Sequence, residues 1–174
     1  VSNETPRSNR LRQEEAFSTP LGPARYAILA LRFGLGWVFF YSGLTKLLDP
    51  TWTAAGYLTH AVPEGNPFTA VWPVMAGMPL VDALVQWGML LTGLCLLFGV
   101  LFRWSAFWAA TMMLLFWASS LPLENGLIID QHIVYVLALA GLAALGAGRI
   151  AGLDGYLETT DLVGRYPRLR YLLG

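Results

Sequence analysis

The stretch ARYAILALRFGLGWVFFYSGLTKLL, residues 24–48, decides the fold. Apart from Arg25, Arg32 and Lys46 it carries no charge, and about 20 mostly apolar residues in a helix suffice to cross a bilayer core. Three further segments meet the same test: 79–102, 104–121 and 127–148. The whole chain of 174 residues is 56% hydrophobic and 13% charged, whereas soluble domains carry roughly 25% charged residues. Four spans joined mostly by short links predict an all-α integral membrane four-helix bundle of up-down-up-down topology.

Around the spans the chain divides simply. Residues 1–23 read as a disordered cytoplasmic tail, 24–150 as the membrane domain and 151–174 as a cytoplasmic C-terminal segment. The polar start lacks the short apolar stretch of a cleaved signal, so the first span is expected to be retained. Arg7, Arg10, Arg12 and Arg25 precede it, Arg103 joins the second and third, and Arg149, Arg165, Arg168 and Arg170 follow the fourth. By the positive-inside rule both termini face the cytoplasm, in a multi-pass protein of the cell membrane. Residues 49–78 form the one long loop, with Trp52, Tyr57, Phe68 and Trp72 among its prolines and glycines. Short interfacial helices lying over the outer mouth suit that composition. Zero net charge gives no argument for nucleic acid, and the lone Cys95 excludes an intramolecular disulfide or a CxxC redox pair.

Polar residues collect at one depth. Asp130 and His132 fall about 5 and 8 Å inside the fourth span, and Asp82 and Gln86 about 5 and 10 Å below Pro79. Lys46 ends the first span, and Glu124 and Asn125 close the mouth from the last loop. At about 100° per residue, Arg32, Gly36, Phe39, Gly43 and Lys46 share one stripe of the first helix. Asp82, Gln86, Met89 and Gly93 share one on the second, and Asp130, Val134, Leu137, Gly141, Ala144 and Gly148 one on the fourth. Small residues mark faces where membrane helices approach, so these stripes are expected to face inward. An unpaired charge inside the membrane costs about 2.5–3.5 kcal/mol, so Lys46 is expected to pair with Asp130 or Asp82. Arg32, deeper and far from any acid in the spans, either snorkels to headgroups or donates to helix carbonyls or a ligand oxygen. His132 points away from Asp130 with Tyr135 beside it, as a structural or a proton-handling histidine. His60 and His132 are the only histidines and no metal motif appears, so no metal or haem is expected.

Three stretches resemble one family. LRFGLGWVFFYSGLTKLL (31–48), with Arg32, Gly43 and Lys46, resembles the first helix of the DoxX/DoxD family of small four-helix membrane proteins. ALGAGRIAGLDGYLE (144–158) resembles the end of that family's last helix, a glycine-rich exit followed by Leu153 and Asp154. NGLIIDQHIVY (125–135) is similar to the DoxD branch, and the likeness together covers about residues 25–158. The resemblance implies a membrane subunit of an oxidoreductase; the DoxD branch belongs to thiosulfate:quinone oxidoreductase, whose other subunit is DoxA. The residues after Gly148 are too few for a DoxA-like domain, so such a partner is expected as a separate chain.

No catalytic set comes with the resemblance; depth and phase supply one. Lys46, Asp130 and His132 are the catalytic candidates, handing protons to a quinone, with Lys46 also drawing an anionic reductant such as thiosulfate. Arg32, Asp82, Gln86 and Tyr135 are the candidates for binding quinone or substrate. Quinone is thus the expected cofactor, and the lipid bilayer, a separate subunit and the reductant are the expected partners. The alternative is a non-catalytic anchor or assembly subunit, its polar cluster a packing lock and residues 49–78 a docking platform. The Ala140, Ala144 and Gly148 face suits bundle closure and homo-oligomerisation equally.

Overall fold

The computed structural model describes residues 22–123 and 126–174, so the N-terminal tail before Gly22 and the mouth residues Glu124 and Asn125 lie outside the described residues. Helix α1 is Pro23–Leu48, with proline at its first turn, where its missing N–H costs nothing. The loop that follows holds two short helices, α2 (Ala55–His60) and α3 (Trp72–Met75), where the aromatic content predicted them. Then come α4 (Pro79–Phe98), α5 (Phe102–Ser119) and α6 (Gln131–Ala144). Two short helices, α7 (Leu153–Leu157) and α8 (Asp161–Arg165), and a 3-10 helix at Pro167–Tyr171 complete an all-helical order among the described residues.

Helices α1 and α4 are long and apolar enough to cross a membrane. They lie antiparallel with their backbones nearly touching. A methyl group added at Gly43 would strike the Leu90 and Met89 backbone, one at Gly93 the Phe40 backbone, and one at Gly36 would stand 2.9 Å from the Leu97 nitrogen. The stripe read from the sequence is therefore the true contact face, with Arg32, Gly36, Phe39 and Gly43 buried and Lys46 half-buried. Helix α5 packs on α4, where Met112 sits 3.2 Å from a Cβ placed on Gly88, and on α6 through a seam running from Phe116–His132 to Arg103–Ala143. Phe39, Leu96, Phe102, Ala109, Leu139 and Leu142 meet in the core.

The fourth expected span needs correction. Helix α6 covers Gln131–Ala144, 14 residues rather than 127–148, or about 21 Å of rise. Its start is set by Asp130, which is extended (φ −120°) and caps the helix by accepting the N–H groups of His132 and Ile133; the far end is cut by Gly146 at φ 65°. Since Asp130 stands outside the helix, the stripe drawn from it is the wrong face. Val134 and Leu137 are exposed, and nothing approaches Gly141, whereas Leu139 and Leu142 are buried.

Candidate functional site

Polar chemistry divides between two ends, the loop end near residues 49–78 and the tail end near residues 149–174. At the loop end Asp130 both caps α6 and holds His132: its Oδ2 lies 2.5 Å from the ring Nδ1, while Oδ1 accepts the His132 and Ile133 N–H groups at 2.9 and 3.2 Å. The two side chains are half-buried. The Phe116 ring of α5 meets the imidazole edge to face, 6.3 Å between centroids. With Nδ1 committed to the carboxylate, Nε2 is the nitrogen left to act, and it makes no hydrogen bond among the described residues.

The loop is fastened over this end by Asn66, which is buried. Its amide donates to the Ala118, Ser119 and Leu121 carbonyls at 2.9, 3.2 and 2.8 Å. Its oxygen accepts the Phe68 N–H and the Trp72 indole N–H at 2.8 and 3.0 Å. Every hydrogen-bonding atom of that amide is used, so the loop sits in one place on the end of α5. Tyr57 adds its hydroxyl 3.3 Å from Ser119 Oγ. Sequence reading passed over Asn66; an asparagine between aromatic-bearing turns, with Trp72 six residues on, was its only signal.

The expected Lys46 pairing does not occur. Lys46 donates to the Ser42 carbonyl of its own helix at 3.2 Å and lies 5.6 Å above the Trp52 ring. Asp82 accepts the Ala54 N–H at 2.8 Å, tying the start of α2 to α4. Among the described residues the ion pairs are Asp130–His132 and Arg149–Glu158. A cation over an aromatic face, with a backbone acceptor, satisfies Lys46 without a carboxylate. Just past α1, the hydroxyl and N–H of Thr51 hold the Asp49 carboxyl below its usual range. Gln86 is half-buried without a side-chain hydrogen bond among the described residues, and Tyr135 packs against the core.

Arg32 belongs to the other end. Buried at 4% exposure, it donates from Nη1 to the Ala147 and Ile150 carbonyls at 2.6 and 2.8 Å and from Nη2 to Ala151 at 3.2 Å. It thus binds the exit of α6, the carbonyl alternative among its expected roles, and stands 14 residues from Lys46, about 21 Å along the helix. Asp154, unassigned by the sequence reading, is fully buried beside it. Its carboxylate accepts the Leu101, Phe102 and Gly174 N–H groups at 2.7, 2.9 and 2.8 Å. The Arg103 and Trp104 N–H groups go to the Leu172 carbonyl. All the orphan donors that open α5 are thereby satisfied. The clamp also holds Leu101 at φ 47°, a left-handed conformation that costs a branched residue about 1–2 kcal/mol. Gly99, Gly148 and Gly152 leave room for the two charges: side chains there would strike Arg32, Asp154 or the backbone between them.

An aromatic-rich helical chain with apolar helices exposing Trp37, Leu84, Trp87 and Phe107 is a membrane protein in composition and surface alike. The DoxX family model matches residues 27–120, from α1 through α5, and the chain belongs to the DoxX family. That family is one of membrane proteins often associated with oxidoreductase-related functions. The match stops before α6, so the stretches resembling the DoxD branch and the family's last helix lie beyond it. Comparison with curated proteins and with solved structures gives no match.

Proposed function

We propose that the chain is a DoxX-type membrane subunit of a quinone-linked oxidoreductase, oxidising thiosulfate or another sulfur compound at its loop end. In this reading α1, α4, α5 and α6 all cross the membrane as an up-down-up-down bundle, with both termini in the cytoplasm. The girdle of exposed apolar residues on all four, from Phe33 on α1 to Leu137 on α6, supports it. At 14 residues α6 crosses with help from its flanking turns and local bilayer thinning.

One observation carries the chemistry, the Asp130–His132 dyad against Phe116. A quinone supplies a two-electron, two-proton acceptor, and its carbonyl needs a donor beside an apolar surface for the ring. The Asp130 carboxylate accepts Nδ1–H, so that in the imidazolium form Nε2–H binds the quinone oxygen and passes it a proton, and solvent at the loop end reprotonates Nε2 for the second transfer. Phe116 offers the ring an edge, and the Asn66-fastened loop limits water. Lys46, met among the described residues by a carbonyl and Trp52, draws the anionic reductant towards the same end. Two thiosulfates joining as tetrathionate release the two electrons required.

The test is quinone content of the purified chain, together with thiosulfate-dependent quinone reduction in membranes. His132→Phe keeps an aromatic ring on Phe116 and is expected to lose the quinone and about 100-fold in rate. Asp130→Asn keeps the cap and loses the carboxylate, so it falls between. A wild-type protein without quinone, or His132→Phe with unchanged content and rate, overturns the proposal.

A second reading, a non-catalytic anchor subunit, draws on how the polar groups are employed. Arg32, Asp82 and one oxygen of Asp130 serve backbone groups of this chain. It predicts a copurifying partner that remains bound, with full activity, in the His132→Phe protein.

A further inference from the structure

The seam between α5 and α6 does not close along its length. Arg103, Ala106, Phe107 and Ala110 face Val136, Leu139, Ala140 and Ala143 across a groove of about 250 Å³ on the outside of the bundle. Its wall is hydrocarbon, because alanines stand where larger side chains would fill the gap. One charged group stands in it: Arg103, at the tail end, half-buried, whose side chain makes among the described residues a single 3.5 Å contact, from Nε to the Ala143 carbonyl.

The depth of Arg103 is marked independently. Trp104 and Trp108, exposed at 47% and 45%, stack edge to face beside it, as tryptophans do at the headgroup level. Its N–H is held by Leu172, directly after the 3-10 helix that carries exposed Arg168 and Arg170. Of the described acids at this end, Asp154 is buried on backbone donors, Glu158 is engaged by Arg149, and Asp161 is exposed on α8, where it is outnumbered by Arg103, Arg165, Arg168 and Arg170. The tail end therefore presents positive charge above an apolar slot.

We propose that this groove binds an anionic phospholipid of the surrounding bilayer, one acyl chain lying along Ala106, Ala110, Ala140 and Val136 and the phosphate on Arg103. The chain fills a gap that side chains leave open. The phosphate meets a guanidinium suited to two parallel hydrogen bonds, reinforced by the basic 3-10 helix. The site is separate from the loop end and does not depend on the quinone reading.

Native mass spectrometry of the full chain, released from detergent with phosphatidylglycerol or phosphatidylcholine added, reads the site directly. Wild type retains one phosphatidylglycerol in preference to phosphatidylcholine. Arg103→Gln lowers that preference about five-fold, the worth of one arginine near an anionic surface. Ala140→Trp plugs the slot from its exposed rim and abolishes retention of both lipids, while leaving the melting temperature and helical content unchanged. Equal retention of the two lipids by wild type, or retention unaffected by Ala140→Trp, overturns the proposal. So does a quinone, in place of phospholipid, displaced by that substitution.

Discussion

The two ends of the bundle use similar residues to opposite effect. At the tail end Arg32 and Asp154 are buried, and their bonds go to backbone carbonyls and N–H groups. At the loop end Lys46, Asp82, Asp130 and His132 are half-buried, and His132 keeps a ring nitrogen with no partner among the described residues. Charges enclosed by three glycines stitch helices together, whereas charges under a folded loop can still exchange protons. The geometry gives cohesion to the tail end, and the proposed chemistry is assigned to the loop end.

The widest separation is expected at Asp154. Replacing it with alanine strands three donors at a buried site, a cost of about 3 kcal/mol or more. Thermal unfolding in detergent should show a large loss, with His132→Phe nearly silent; equal losses would erase the contrast. Asn66→Ala should cost about 2 kcal/mol locally. Limited proteolysis then cuts within residues 49–78 faster, while the melting temperature of the bundle moves little. A global loss instead would make the loop part of the stitching. Smallest is Arg149→Gln, which breaks a solvent-exposed pair with Glu158 and should shift stability by less than about 0.5 kcal/mol. A larger shift would extend the tail-end lock beyond Arg32 and Asp154.

Much of the fold was legible because hydrophobic length and small-residue spacing are local properties. Helix α1 follows its expected span to within a residue, and the Gly36/Gly43 face proved to be the contact with α4. The ends of α4 and α6 were misplaced because glycine and aspartate outvoted hydropathy: Gly99 turns the chain at φ 62° and Asp130 begins α6 instead of lying inside it. Hydropathy does not register a cap. Asp154 escaped notice because its partners lie about fifty residues back, at the start of α5, and no periodicity encodes such a contact. At the loop end the residues were found but not their pairing. Reading depth alone treated Lys46, Asp82 and Asp130 as charges seeking each other, whereas each had a nearer backbone or aromatic partner.

The Arg32 clamp also dictates an order of events in the making of the protein. Its first carbonyl acceptor lies 115 residues downstream, so at about 5–20 residues per second the ribosome delivers it some 6–23 s after the guanidinium. Through that interval α1 must carry a bare positive charge. The exit of α6, made late, relieves a charge set down early in α1.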